Sequence, residues 1–259
     1  MKKIMLCLFT VFALVGCNKE KPTLKTSAKQ SSAVAKTHTW ESLCDVPNSS
    51  NEYDFVGSEH NRIMALCEAS GTSDMSLSEV YRLVDATIED EYRVSWGTMP
   101  APAEEIATPV LKAFESESSL RGYINSLPTS ELQKSELNNL FTIMLDYDGT
   151  NLCETIDNIK TFENELIRKH SKSEIETVLI SSSVGRYSLA YWHEREDRGP
   201  SMPMGFWKKF IIGAADALGG TAGGVGGAPG GPFGIIGGAI GGAVGASSGA
   251  AALWKIFSE

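Results

Sequence analysis

The stretch FWKKFIIGAADALGGTAGGVGGAPGGPFGIIGGAIGGAVGASSGAAALWKIF, Phe206 to Phe257, repeats glycine every fourth residue through a segment nearly free of charge. Gly237, Gly241, Gly245 and Gly249 form one series, and Gly230, Gly234, Gly238 and Gly242 form a second beside it. Positions four apart share a helix face, so each series is a bare stripe that another backbone can approach closely. The fillers are Ala, Ile, Val, Phe and Leu. A flexible linker draws instead on Ser, Gln and charged residues. Pro229 and Pro232 divide the stretch into two helical arms, about Phe206 to Ala228 and Phe233 to Phe257. Each arm is close to the ~20 residues that cross a hydrocarbon core. The expectation is a hydrophobic helical hairpin over residues 205–257 with the Gly-Pro turn at its tip. Trp207, Lys208 and Lys209 at one end, with Trp254 and Lys255 at the other, place aromatic and cationic interfacial anchors on one side.

At the other end of the chain, Lys2 and Lys3 precede an apolar run, Ile4 to Leu14, too short for a stable bilayer span. The run closes in Leu14, Val15, Gly16, Cys17, which resembles the lipobox of bacterial lipoproteins. The resemblance implies a signal peptide over residues 1–16 and lipidation, including palmitate, at Cys17. Asn18, where the enterobacterial sorting rule reads aspartate as inner-membrane retention, implies the outer membrane. Lys19, Glu20 and Lys21 match surface-export signals only in part, so periplasmic and surface-facing orientations both stay open.

From residue 17 to 39 the chain is rich in Lys, Ser, Thr and Ala and poor in large apolar side chains. Such a segment cannot offset its ordering entropy and is expected to be a disordered tether. Residues 40–200 read as an independent helical bundle. Ser76 with Glu79 and Ser171 with Glu174 have capping-box spacing. Three runs repeat at three and four: Val80, Leu83, Val84, Ile88; Leu137, Leu140, Phe141, Met144, Leu145; and Leu152, Ile156, Ile159, Leu166. Breaks at 71–74, 97–103, 127–130, 146–150 and 169–173 divide the region into about six helices by turn composition. The expected fold class is all-α. Ser181, Ser182, Ser183 and Gly185 thin the last long helix and allow a close crossing.

Two phrases stand out in this middle: Tyr53-Asp54-Phe55-Val56-Gly57 with His60 and Asn61, and Ser183-Val184-Gly185-Arg186-Tyr187-Ser188 with Tyr191 and Trp192. With the lipobox and the Gly/Ala tail, they resemble Bacteroidota lipoproteins that combine a helical middle with a glycine-zipper end. That resemblance implies no activity and names no catalytic residue.

A formal net charge of -9, with no basic cluster, argues against nucleic-acid partners. Of five cysteines, Cys44, Cys67 and Cys153 remain after the signal and the lipid site. Cys44 with Cys67 is the more local disulfide pairing in an export compartment, and three buried thiols are the alternative. No CxxC or His-rich spacing suggests zinc or haem, so no metal or cofactor is expected. His60 beside Glu59, and His193 in the run His193-Glu194-Arg195-Glu196, lack the spacing of a helical zinc site. Nucleophile-elbow, Walker and dinucleotide motifs are absent. Three functions follow in order: a cell-envelope lipoprotein whose tail associates with membrane lipid or with other copies; a bacteriocin-like membrane-permeabilising factor; and a ligand carrier or enzyme using a pocket in the bundle.

Overall fold

The computed structural model describes residues 44–70, 75–92, 103–196, 206–227 and 231–258. Nine helices and no strand occur among them: α1 Asp54–Ala69, α2 Leu77–Tyr92, α3 Ala103–Ala113, α4 Glu117–Ser126, α5 Glu131–Leu145, α6 Leu152–Lys169, α7 Lys172–Glu196, α8 Phe206–Gly227 and α9 Gly231–Ser258. The all-α expectation holds, and the hairpin arms match α8 and α9.

Local chemistry sets several starts and stops. Glu79 accepts from the Ser76 backbone at 2.8 Å and returns its own N–H to Ser76 Oγ at 3.4 Å, closing the expected box at α2. Glu174 accepts from the Ser171 backbone at 2.9 Å ahead of α7. A further box, Ser130 with Gln133, starts α5. Ser116 caps α4 by accepting from Ser119 N. That cap splits the third expected helix, so the described residues hold seven helices, not six, before the tail. Gly149, at φ 91°, turns the chain between α5 and α6 in a conformation that favours glycine.

The amphipathic faces point inward as their periods require. Val80, Val84 and Ile88, then Leu137, Leu140, Phe141 and Met144, then Leu152, Ile156, Ile159 and Leu166, are all buried. What they pack around differs from the expectation of a separate bundle and tail. Buried residues of α8 and α9 join those of the preceding helices in one continuous core. The described residues also belong to one compact unit, His38–Glu259. The described helices before the tail thus share one core with the hairpin, which lies at its centre. α8 packs on α9 and α7, and α9 packs also on α3, α2 and α1. Residues 178–192 of α7 and 236–250 of α9 are buried on every side. The α9 stretch is built of small and apolar residues with two serines and suits an interior, whereas the buried polar residues of α7 are accommodated by partners.

The two glycine series face different neighbours. A Cβ on Gly242 would run into the Gly219 carbonyl, and one on Gly223 into the Gly238 carbonyl, so Gly238 and Gly242 of the second series lie against α8 with backbone on backbone. In the first series, Gly245 faces Ala103 of α3. A Cβ on Gly241 would lie 3.4 Å from Ile88 of α2, and one on Gly249 would meet the Tyr81 hydroxyl. The close approach anticipated from the spacing is present, with the chain's own helices as its partners.

The expectation that each arm can cross a bilayer is corrected: among the described residues no helix is long and apolar enough to do so. Length alone suggests a span. Glycine adds little apolar surface per residue, so length here does not translate into hydrophobicity.

Candidate functional site

Helix α7 organises two buried polar clusters. In the first, Asp216 of α8 is enclosed by Ser188 and Trp192 of α7, Ser247 of α9 and His60 of α1. Ser188 Oγ donates to Asp216 Oδ2, as do Ser247 Oγ at 2.9 Å and Trp192 Nε1 at 3.2 Å. His60 Nε2 stands 3.6 Å from the same oxygen. Asn61 donates from Nδ2 to the Tyr187 carbonyl at 2.9 Å, so its Oδ1 is left to accept from His60 Nδ1 at 3.0 Å. This assigns the proton of neutral His60 to Nδ1 and leaves a lone pair on Nε2, which has no hydrogen-bond partner. Asp216 Oδ1 also has none. Burial pushes the Asp216 carboxyl well above its ordinary range, although Ser188, Ser247 and Trp192 pull it back. Burial lowers His60 to about 4. Burial thus disfavours the charged form of both groups, and His60 Nε2 and Asp216 Oδ1 face the cluster without a hydrogen-bond partner.

In the second cluster, Arg186 of α7 is fully buried among Glu163 of α6, Asp54 of α1 and the segment preceding α1. Arg186 Nη2 lies 3.1 Å from Glu163 Oε1 and also donates to Asp54 Oδ1, while Nη1 donates to the Val46 carbonyl. Glu163 also accepts from Ser182 at 2.6 Å, Asn48 at 2.6 Å and Asn51 at 2.9 Å. Burial opposes the Arg186 charge, but the Glu163 and Asp54 carboxylates outweigh it and hold the guanidinium above its ordinary range. Removing one member of such a group costs on the order of 3–5 kcal/mol, because the other charge stays buried without compensation.

The two sequence phrases meet here. Gly57 N donates to Ser183 Oγ at 3.1 Å, Ser183 Oγ donates to the Asp54 carbonyl at 2.9 Å, and Tyr187 donates to Asp54 Oδ2 at 3.0 Å. A Cβ on Gly57 would meet Ser183 and Tyr187 in the opposing helix. Ser183 therefore serves a tight α1–α7 crossing, while Ser181 and Gly185 face Ala217 of α8 and Ser182 faces Glu163 of α6.

Serine, histidine and aspartate together invite a hydrolytic reading, and the geometry opposes it. Ser188 and Ser247 both donate to the carboxyl, and neither is paired with His60. All four side chains are fully buried. A general base must reach the proton it removes, and a nucleophile must reach substrate.

A cleft of about 260 Å³ lies elsewhere, beside a disulfide, and is lined by Cys44, Thr150, Asn151, Cys153, Glu154 and His193. The disulfide joins Cys44 to Cys153. The local Cys44–Cys67 pairing is thus corrected: Cys67 points into the core beside Thr87, where burial pushes its thiol up to about 11. Cys44 instead meets the first turn of α6, because the segment before α1 crosses that helix on its way to Arg186. His193 shares a 2.8 Å hydrogen bond with the Tyr147 hydroxyl.

Cys17 and Gly230 lie outside the described residues. Trp207, Lys208, Lys209, Trp254 and Lys255 have their backbones in α8 and α9, and their side chains lie outside the described residues. Gly234 lies in the first turn of α9, and Gly237 is buried. No group of three or more metal-ligating side chains forms among the described residues.

Sequence reasoning missed Asp216, Glu163, Arg186 and Ser247 as partners. One signal was present: Asp216 is the single ionisable side chain between Lys209 and Lys255. A lone carboxyl in an apolar run must find donors inside the fold. Compared with known proteins, the chain matches no protein-family model, no curated protein and no solved structure.

Proposed function

We propose that this chain is a cell-envelope lipoprotein with a structural or interaction role, in which Cys17 supplies the membrane attachment and the Gly/Ala-rich hairpin supplies the core of the displayed domain. The observation that carries this reading is the occupancy of the glycine series. Gly238 and Gly242 lie on Gly223 and Gly219, while Gly241, Gly245 and Gly249 lie on α2 and α3. A stripe already in contact with its own chain is not free to bind a second copy or lipid unless the domain opens. Attachment then falls to the lipid expected at Cys17, where each buried methylene contributes about 0.8 kcal/mol.

The cleft at Cys44 and Cys153, about 260 Å³, falls below the usual range of small-molecule sites, about 300–1,000 Å³. This cleft is thus small for carriage or catalysis. A permeabilising role requires the hairpin to leave its contacts and drag Asp216 out of its donors.

The test is fractionation and carbonate extraction of the full chain and of Cys17→Ser, with palmitate labelling. The wild type is expected to label and to pellet with membranes, and the variant to lose both while its domain stays folded. A Cys17→Ser protein that remains carbonate-resistant would move attachment to the hairpin and overturn the proposal. Dye release from lipid vesicles by that variant would favour the permeabilising reading.

A further inference from the structure

We infer that the Cys44–Cys153 disulfide is a thiol-exchange site, and that its reduction unlatches the segment before α1 from the buried Arg186–Glu163 pair.

The segment from Cys44 to Tyr53 has no helix of its own, yet it covers the most charged part of the interior. The Val46 carbonyl accepts from Arg186, Asn48 and Asn51 donate to Glu163, and Asn51 donates again to the Leu179 carbonyl at 2.9 Å. Arg186 and Glu163 are fully buried beneath it. Its apolar hold is slight, with Val46 as its one fully buried apolar side chain. On the outer side, Lys160 donates to the Asp45 carbonyl at 2.9 Å and to its carboxylate at 2.7 Å, in a pair whose carboxylate is largely exposed and which is therefore weak. The disulfide is the covalent tie at the N-terminal edge of this cover. Segments with few apolar contacts open at much lower free energy than the whole domain, so removing the tie favours local opening.

Access and electrostatics favour exchange. Cys153 is exposed, and both half-cystines line the open cleft. Cys153 is the second residue of α6, after Asn151 at the N-cap. The N–H groups of a helix start stabilise a thiolate there, which assists the second step of exchange, in which Cys153 leaves. A thiolate of a dithiol reductant attacks Cys153 Sγ, and the S–S bond breaks. The electron pair leaves on Cys44, which takes a proton from water. The reductant's second thiol then attacks the mixed disulfide, releasing Cys153 as thiolate and leaving the reductant as a disulfide. Two electrons pass to the protein, and reoxidation reverses the sequence.

The test uses the full chain in native buffer with and without dithiothreitol. Hydrogen exchange followed by mass spectrometry reads residues 45–53, an arginine-selective dicarbonyl reads Arg186, and maleimide labelling of Cys67 reports global opening. Reduction without denaturant is expected, with exchange at 45–53 faster by at least about tenfold, Arg186 newly modified and Cys67 unlabelled. The Cys44→Ser/Cys153→Ser variant is expected to show the same open segment without reductant. Three results overturn the inference: reduction that occurs only after Cys67 becomes labelled, reduction that leaves exchange at 45–53 unchanged, or a double variant that loses its helical far-ultraviolet signal.

Discussion

Asp216 and His60 lie 3.6 Å apart and respond to protons with opposite sign. Burial holds His60 at about 4, against 6.5 when free, so the unfolded chain binds the extra proton between those values. Stability from this group is present above 6.5 and is lost as pH falls toward 4, by up to about 1.4 kcal/mol per pH unit. Asp216 is raised well above 3.8, so the folded chain holds the extra proton from that pH upward, and its contribution falls as pH rises. Over the shared window the two slopes oppose. His60→Asn is expected to leave a stability that declines with rising pH, and Asp216→Asn one that increases. Urea unfolding between about pH 4 and 6.5 measures both. Parallel slopes in the two variants would show that the pair is not electrostatically linked to folding.

Between α8 and α9 the separation is set by missing side chains. Gly219 and Gly223 of α8 lie against the backbone at Gly242 and Gly238, where no flexible atom can yield. A Cβ placed on Gly226, one turn further along α8, would meet nothing within 4 Å. The two sites separate packing from propensity within one helix. Gly223→Ala is expected to destabilise by about 1–3 kcal/mol, the range for overpacking a filled interior. Gly226→Ala is expected to stabilise by about 0.5 kcal/mol through lower unfolded-state entropy. Midpoints of urea denaturation distinguish them, and a common sign would mean that the hairpin is held by composition and not by these contacts.

Across the whole molecule, α8 and α9 provide the surface on which the amphipathic helices bury their apolar faces. Ile88, Ile106 and Leu189 contact glycines of the hairpin directly or flank them. A chain of residues 44–196 keeps its capping boxes and helical periods but loses the centre of its core. It is expected to retain helical far-ultraviolet signal, bind a hydrophobic dye and melt without a cooperative transition. Supplying residues 206–258 as a separate chain is expected to restore cooperativity. A sharp calorimetric melt of 44–196 alone would return the hairpin to the status of an appendage.

By itself the sequence determined the helical class, the periodic inner faces, the capping box at α2, half of the box expected at α7 and the two arms of the hairpin. These depend on spacings within one turn of a helix, where physics is local. It also carried the two phrases that prove to be the α1–α7 crossing, though nothing in their letters said that they touch. Only the tertiary structure decided that Gly241, Gly245 and Gly249 face α2 and α3, that Asp216 gathers Ser188, Trp192, Ser247 and His60, and that Cys44 pairs with Cys153 and not Cys67. A glycine stripe states that some backbone comes close and not which one, since closeness requires only the absence of a side chain. A lone buried carboxyl states that donors exist and not where they lie in the chain. Pairings over such separations are chosen by the packing of the whole core, and that choice has no local signature.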